Sequence, residues 1–224
     1  MVRNTFPAVF QTGADEPTAP TGPEHPRGLV YAGRLAAYRE LETIAAASRE
    51  LNVPITLIGP ADGTWLASFD RGLTTIEPPC PADEVDTWLV RAGLVLVTHS
   101  DRWENHRLAM PNKLFHAIRA GVPVVATDVG ELAKVVRAHG IGTLYPPGDV
   151  AGLVRAVHDA IARYPELRDA VRQAAPTLSW DADAARLLAI YASITGTTPT
   201  PARVHEAAPA VGSLPASPER IDGG

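Results

Sequence analysis

The stretch PNKLFHAIRAGVPVVATDVG, residues 111–130, contains the pattern of a helix, a turn and a buried strand in immediate succession. Pro111 suits the first turn of a helix, where its missing N–H leaves no hydrogen bond unmade, and Gly121 suits the helix end. Residues 122–127 are continuously apolar, without the alternation of a half-exposed strand. Such a strand is typical of a parallel sheet that is covered on both faces.

Strands and helices alternate outward from this stretch in both directions. The alternation predicts an α/β domain, a Rossmann-like parallel sheet with helices on both faces. Ligands of such sheets bind at the carboxyl ends of the strands, where the strand order reverses. We predict strands at 29–32, 55–58, 73–77, 94–97, 122–127 and 143–145, and helices at 35–51, 82–92, 111–120, 131–139, 150–163, 166–175 and 181–194.

Proline separates the chain into a body and two tails. The chain has 224 residues with 46% hydrophobic and 20% charged, which suits one globular domain with additional segments. Prolines crowd residues 13–27 and 196–224, and neither segment has a sustained apolar period. We therefore expect a linker over 1–27, a folded domain over 28–195 and a disordered tail over 196–224.

Charge and cysteine content narrow the classes of function. The formal net charge of −5 opposes nucleic-acid binding, which normally requires a basic face. Cys80 is the single cysteine, so an internal disulfide is excluded and a reduced cytoplasmic location is expected. No secretory signal and no run of roughly 18 apolar residues is present, although peripheral membrane contact stays open.

Basic residues follow the first predicted strand. Gly33 and Arg34 come directly after it, and Arg39 lies five residues further along. Glycine permits close approach of the backbone, and arginine binds phosphate through two parallel hydrogen bonds. The pair could neutralise a diphosphate at the sheet edge. The competing interpretation is two solvated arginines at the start of a helix.

A second candidate anion site lies at the start of the 111–120 helix. The first amides of a helix have no intrahelical partner and carry the positive end of its dipole. Because Pro111 has no N–H, the donors would be Asn112, Lys113 and Leu114, and Lys113 adds a full charge. The competing interpretation is an ordinary helix start without a ligand.

The 111–130 stretch resembles the C-terminal signature of GT-B glycosyltransferases of family 4. Residues 31–35 resemble the glycine–arginine strand end of that family, and 145–149 resemble the segment before a late helix. The resemblance covers roughly 28–195. It implies the donor-binding, C-terminal-type domain of a GT-B enzyme. Residues 2–5 are similar to the last strand before the interdomain linker, so the acceptor-binding N-terminal domain is expected to be missing.

The resemblance also implies a ligand and a mechanism. It places the diphosphate of a nucleoside diphosphate sugar between Gly33, Arg34 and Arg39 on one side and the helix start at 112–114 on the other. Fixed cations and amides would then stabilise the departing nucleoside diphosphate without a metal or other cofactor. Family 4 enzymes retain the anomeric configuration, so retention is implied as well.

Two positions depart from the family pattern. The family has two glutamates eight positions apart, and these fall on Leu108 and His116 in this sequence. The second glutamate holds ribose hydroxyls, whereas an imidazole offers at most one lone pair. We place His116 near the ribose and consider Glu104, from the preceding loop, as a substitute beside the sugar.

Other functions remain open at the level of sequence. The chain could be a non-catalytic or split-enzyme binding module that needs an acceptor-binding partner chain. A sugar-nucleotide epimerase would share the two-domain architecture. Asp181-Ala182-Asp183 superficially matches a metal-binding Asp-x-Asp, but acidic residues also suit the start of a helix, and we expect no metal site.

Overall fold

A computed structural model describes residues 5–6 and 23–196 of the chain. The chain divides into two compact units, Met1–Leu187 and Leu188–Gly224. The second unit is described only for residues 188–196, which form the end of a helix. Most of the predicted linker and nearly all of the predicted C-terminal tail lie outside the described residues.

Six parallel strands form a single sheet in the order β3-β2-β1-β4-β5-β6. The chain moves from β1 outward to β3, returns to the centre for β4 and then moves outward to β6. The strand order therefore reverses between β1 and β4. The strands are β1 (Gly28–Ala32), β2 (Ile55–Ile58), β3 (Thr75–Glu77), β4 (Gly93–Val97), β5 (Val124–Thr127) and β6 (Gly142–Tyr145).

Helices connect the strands and follow the last one. Each strand-to-strand connection crosses over through helical chain, as parallel strands require. The helices are α1 (Leu41–Ala47), α2 (Gly63–Ser68), α3 (Ala82–Ala92), α4 (Glu104–Leu108), α5 (Asn112–Arg119), α6 (Gly130–His139), α7 (Val150–Ala162), α8 (Tyr164–Ala174) and α9 (Trp180–Thr195).

The central strands are buried on both faces. Leu94 and Leu96 of β4 pack in a core with α1 and α7, while Val95 and Val97 pack in a second core with α3, α5 and α6. Alternate residues of a strand point to opposite faces, so two apolar layers require an uninterrupted apolar strand. The prediction of a Rossmann-like parallel sheet with helices on both faces is confirmed.

The predicted helix over 35–51 is wrong in its first turn and a half. Tyr38 and Glu40 have φ of 65° and 62°, left-handed values that a right-handed helix cannot contain. Helix α1 therefore begins only at Leu41. Leu35, which was assigned to the helix, instead forms a parallel bridge with Ala61. The spacing of apolar residues carries no information about these dihedral angles, so the start of α1 could not be predicted from it.

Two short helices were not predicted. Helices α2 and α4 have six and five residues, too few for a hydrophobic period to be visible. Helix α2 begins with the Asp62 side chain, which accepts a hydrogen bond of 3.0 Å from the Trp65 amide. Helix α4 lies between the strand predicted at 94–97 and the helix predicted at 111–120, where no element was predicted.

The Asp181-x-Asp183 pattern has a structural role at one of its two positions. Asp183 is fully buried, accepts from Thr5 at 3.1 Å and pairs with Arg186 at 2.6 Å. Within residues 5–6 and 23–196, no three His, Cys, Asp or Glu side chains form a group that could hold a metal ion. No helix in the same residues has the length and hydropathy to cross a bilayer.

Candidate functional site

A pocket opens at the carboxyl ends of β1, β2 and β4, where the strand order reverses. The pairing of β1 with β4 stops at Val30 and Val95, whereas β1 remains paired with β2 as far as Ala32 and Ile58. The pocket has a volume of about 300 Å³, within the range of small-molecule sites. Its lining residues are Ala32, Gly33, Ile58, Gly59, Pro60, Pro79, Cys80, Val85, Leu89, Val95, Asn112, Lys113 and His116.

Two glycines bring the walls of this pocket together. A Cβ atom on Gly33 would lie 2.6 Å from Cε and 3.2 Å from Nζ of Lys113, so the missing side chain leaves room for the lysine. A Cβ atom on Gly59 would lie 2.1 Å from the carbonyl oxygen of Gly33. The ends of β1 and β2 and the start of α5 can therefore meet only because both positions are glycine.

Lys113 lies against Tyr31 at one end of the pocket. Its Nζ donates to the Tyr31 hydroxyl at 3.0 Å and lies 4.2 Å from the centroid of the tyrosine ring. Burial, aided by the charge of Arg39, lowers the pKa of Lys113 to about 7. Burial also raises the pKa of Tyr31 to about 12, although Arg39 opposes this shift. Tyr31 is thus a neutral partner that does not compensate the lysine charge.

The described residues supply no counterion to this pair of cations. Among residues 5–6, 23–82 and 84–196, no carboxylate lies within 4.0 Å of Lys113 Nζ or of the Arg39 guanidinium. Two positive groups held close together without a carboxylate favour an anion. The arrangement therefore has the charge of a phosphate-binding site.

The loop that carries Arg39 is held by contacts to two other strand ends. The Thr98 hydroxyl, just after β4, donates to the Arg39 carbonyl at 2.8 Å. The Glu40 carboxylate accepts from the Gly148 amide, in the loop after β6, at 2.7 Å. The left-handed residues Tyr38 and Glu40 flank Arg39, and such conformations persist only where the surroundings enforce them. These contacts thus hold the backbone of the loop that carries Arg39.

His99 adds no charge to this cluster. Its amide donates to Thr127 Oγ1 at 2.8 Å, and its Nδ1 lies 3.0 Å from the His106 carbonyl, which can only accept. The side chain is buried, and this burial lowers the pKa of His99 to about 4. The imidazole is therefore neutral at physiological pH.

His116 is held by a buried carboxylate. Its Nδ1 lies 3.0 Å from Asp86 Oδ1, and the other oxygen of Asp86 accepts from Arg119 Nε at 2.9 Å. The Nη2 atom of Arg119 also lies 3.1 Å from His116 Nδ1, so Asp86 and Arg119 together anchor the ring at that nitrogen. His116 thus lines the pocket with an imidazole ring that is anchored through Nδ1.

The predicted site residues divide into two groups. Gly33, Asn112, Lys113 and His116 line the same pocket, and Arg39 acts on Lys113 through its charge. The contact between Gly33 and Lys113 joins the two candidate anion sites, which the sequence had indicated separately.

The other predicted residues lie elsewhere. Arg34 is exposed, with its guanidinium 3.9 Å from Asp62. Glu104 begins α4 on the surface, and neither residue lines the pocket. The Leu114 side chain is buried in the core, and its amide already donates to the Pro111 carbonyl at 3.0 Å. In this conformation, the Leu114 amide is not available to a phosphate.

Several residues of the site were missed by sequence reasoning. Tyr31 lies two positions before Gly33, in the predicted strand and in the 31–35 stretch, yet it was given no role in the site. Asp86 lies on α3, thirty positions before His116 and on a separate element. Cys80 and Gly59 follow strand ends, which is the one signal that could have identified them. No local pattern indicates the pairing of Asp86 with His116, because it depends on the packing of α3 against α5.

Comparison with known proteins gives a family match and structural relatives. The model of the family described as Glycosyl transferases group 1 matches residues 26–163. D-inositol 3-phosphate glycosyltransferase 1 of Catenulispora acidiphila is 38% identical over 188 residues, which cover 74% of this chain and 44% of that protein. The chain therefore spans less than half the length of this curated relative.

Solved structures agree with the fold. Sucrose-phosphate synthase from Thermosynechococcus elongatus superposes with a TM-score of 0.63 at 20% identity, over 76% of this chain and 46% of that chain. Anabaena HepE, solved with UDP and glucose, superposes with a TM-score of 0.58 at 14% identity, over 75% of this chain and 49% of that chain. At these identities, the likeness concerns the fold alone, which is that of GT-B glycosyltransferases. Because the family model matches more than half of the sequence, the chain belongs to the glycosyl transferases group 1 family.

Proposed function

We propose that this domain binds the nucleoside diphosphate sugar donor of a glycosyl transfer reaction. The observation that carries the proposal is the close approach of Lys113 to Gly33 at the strand end, where the charge of Arg39 also acts on the lysine and no carboxylate with a described side chain pairs with either cation. The diphosphate would lie at these cations and at the first turn of α5. The UDP and glucose bound by HepE, a protein of the same fold, support this class of ligand.

The neighbouring pocket suits the nucleoside. Pro79, Val85 and Leu89 give it apolar walls, and His116 and Asn112 add polar groups. We propose that Nε2 of His116 makes one hydrogen bond to a ribose hydroxyl. A carboxylate in the same place could accept from both hydroxyls, so we expect a weaker hold on the ribose than a glutamate would give.

Two of the predicted phosphate ligands have altered roles in this proposal. Arg34 contributes only if its exposed guanidinium leaves Asp62, and an exposed ion pair of this kind contributes little to stability. Because the Leu114 amide is engaged with Pro111, the amides of Asn112 and Lys113 are the proposed helix donors. Glu104 stays a proposed neighbour of the sugar.

The proposed chemistry is stabilisation of a leaving group. As the bond from the sugar to the diphosphate breaks, negative charge grows on the diphosphate, where Lys113 and Arg39 are already positioned. No metal is needed in this proposal. Retention of the anomeric configuration follows from the resemblance to family 4. The acceptor-binding groups are proposed to come from another domain or a partner chain, in the cytoplasm, whose reducing conditions suit the free Cys80.

The proposal can be tested by thermal stability and by the reactivity of Cys80. Cys80 is the only cysteine of the chain and lines the proposed nucleoside pocket. UDP, GDP, ADP and dTDP, with their glucose derivatives, are compared for the shift in melting temperature, because a ligand of the folded state raises apparent stability. The nucleotide that binds should also slow the alkylation of Cys80 by iodoacetamide, as measured by mass spectrometry.

The controls separate binding at this pocket from general effects. Inorganic phosphate tests for a simple anion site, and added EDTA should leave the shift unchanged if no metal takes part. The proposal fails if none of the nucleotides raises the melting temperature or protects Cys80. Transfer or hydrolysis of a sugar donor by the chain alone would contradict the need for outside acceptor-binding groups.

Nucleotide affinity is expected to decrease as pH rises above 7. Burial and then Arg39 lower the pKa of Lys113 from 10.5 to about 7, so the free protein loses this charge above neutrality. A bound diphosphate favours the charged lysine and raises its pKa, so binding takes up a proton. The dissociation constant of UDP should stay constant below the pKa and increase by up to about tenfold per pH unit above it.

Calorimetry at pH 8 in buffers of different ionisation enthalpy measures the proton taken up. The stability of the free protein should change with pH in the opposite direction to nucleotide affinity. The unfolded chain keeps the lysine proton up to about pH 10.5, whereas the free folded protein releases it near pH 7. Without nucleotide, this group should therefore increase stability as pH rises between these values. An affinity for UDP that is flat from pH 6 to 9 would contradict the assignment of Lys113.

A further inference from the structure

Phe6 packs directly on the histidine of the proposed nucleoside pocket. The centroids of the Phe6 and His116 rings are 4.3 Å apart, and the ring planes are inclined by 49°. The guanidinium carbon of Arg119 lies 4.4 Å from the centroid of Phe6. Phe6 thus contacts both side chains that bind Asp86, although it lies 110 positions before His116 in the sequence.

His116 would be poorly oriented without this contact. Asp86 Oδ1 and Arg119 Nη2 both hold the ring at one atom, Nδ1, so the ring can still tilt about that atom. The face of Phe6 limits this tilt, and the direction of Nε2 follows from the plane of the ring. Arg119 completes the cluster, since it binds Asp86 and lies over Phe6 at the same time.

Phe6 is itself held by helix α9. Its carbonyl accepts from the Trp180 amide at 2.8 Å. The preceding residue, Thr5, donates to the buried carboxylate of Asp183 at 3.1 Å. The short segment formed by Thr5 and Phe6 is therefore bound to the first turn of α9, and its aromatic side chain reaches from there to the pocket wall.

We propose that Phe6 is a positioning residue for nucleotide binding, which holds His116 Nε2 toward the ribose. Through Phe6, the docking of the Thr5–Phe6 segment on α9 is coupled to the binding of nucleotide in the pocket. This inference rests on the proposed function, because it assigns a ligand to His116. Phe6 does not line the pocket and acts only through His116. Coupling of two sites is reciprocal, so nucleotide binding should also stabilise the docked segment.

The first test compares Phe6→Ala with Phe6→Tyr. Loss of an aromatic contact and a cation–π contact should weaken UDP binding by about three- to tenfold in Phe6→Ala. Phe6→Tyr keeps the ring and should restore the affinity to within about twofold of the wild type, because the same contacts remain. Calorimetry gives the dissociation constants. GDP, ADP or dTDP replaces UDP if it binds more tightly to the wild type.

Phe69→Ala is the matched control. Phe69 is also a partly buried phenylalanine stacked on another ring, that of Trp65 at 4.2 Å, and it does not line the pocket. Its loss should leave UDP affinity unchanged. Thermal unfolding of both alanine variants shows how much each loses in stability, so a general loss of stability can be separated from an effect on His116.

Two spectroscopic measurements distinguish positioning from simple packing. Nitrogen NMR of histidine-labelled protein, assigned with His116→Asn, should show one tautomer of His116 in the wild type and averaging between tautomers in Phe6→Ala. Amide hydrogen exchange should slow at Trp180 when UDP binds, since that amide bonds to the Phe6 carbonyl. In Phe6→Ala, this slowing should disappear.

The outcomes separate the inference from the proposed function. If the wild type binds no nucleoside diphosphate, the proposed function fails and the inference fails with it. If the wild type binds UDP while Phe6→Ala binds it equally well and keeps the His116 tautomer, only the inference is overturned. Weaker binding by Phe69→Ala to the same extent would also overturn it.

Discussion

Lys113→Met is expected to weaken UDP binding by roughly 10- to 100-fold while the fold is retained, as for the loss of a charged hydrogen bond. Methionine keeps an apolar stem of similar length against the Tyr31 ring, so packing at the floor of the site changes little. The lost group is the ammonium that Gly33 leaves room for and that no described carboxylate neutralises. Calorimetric titration with UDP measures the effect.

Lys134→Met is the matched control for this substitution. Lys134 is the only other lysine in the chain, its side chain is 71% exposed, and it pairs with Glu131 at 2.6 Å. Its replacement removes the same formal charge at a residue that does not line the pocket, and UDP affinity should stay within about twofold, since exposed pairs contribute little. Lys113→Met should also abolish the pH dependence of binding. Tight UDP binding by Lys113→Met would refute the diphosphate assignment.

Gly59→Ala is expected to destabilise the domain by about 3 kcal/mol or more, because backbone strain and overpacking add at this position. Gly59 has φ of 144°, a conformation that residues with a Cβ rarely adopt. The new methyl would lie 2.1 Å from the Gly33 carbonyl oxygen and 2.8 Å from its carbonyl carbon. Both are backbone atoms, so the clash can be relieved only by moving the ends of β1 and β2 apart. Chemical denaturation measures the loss.

Gly63→Ala tests the same substitution without the clash. Gly63 is the first residue of α2, and a Cβ atom there would meet no other atom within 4 Å. Alanine also favours helical conformation, so the free energy of unfolding should change by less than about 1 kcal/mol, in the stabilising direction. If both variants unfold at the same denaturant concentration, the close approach of Gly59 to Gly33 is not a structural requirement.

The order of strands and helices could be predicted because each long element carries its own signal. The strand at 94–97 and the helix at 82–92 were predicted within one residue of their observed bounds, since one is a continuous apolar run and the other has a helical period. Prediction failed between Leu35 and Leu41, where Tyr38 and Glu40 adopt left-handed dihedral angles. Contacts to Thr98 and Gly148, from distant parts of the chain, hold this loop.

Some residues of the candidate site could also be proposed from sequence, because they lie at positions that a local pattern indicates. Gly33 and Lys113 could be proposed from sequence because residues that follow a strand, or that begin a helix after one, lie at the ligand-binding edge of a parallel sheet, and the structure brings the two residues together. Arg34 received equal weight with Arg39 from sequence, yet only Arg39 acts on Lys113, while Arg34 faces Asp62. Neighbours in sequence can point in different directions after a strand ends, so spacing alone could not rank the two arginines.

The sequence by itself determined the α/β architecture, the family and the two strand-end positions where an anion site could form, because these depend on local periodicity and on motifs within short segments. Only the tertiary structure decided that Gly33 touches Lys113, that Asp86 orients His116 and that Phe6 packs on the same ring. Each of these contacts joins residues at least 30 positions apart. Such contacts form through the packing of separate elements, and this packing produces no local pattern in the sequence.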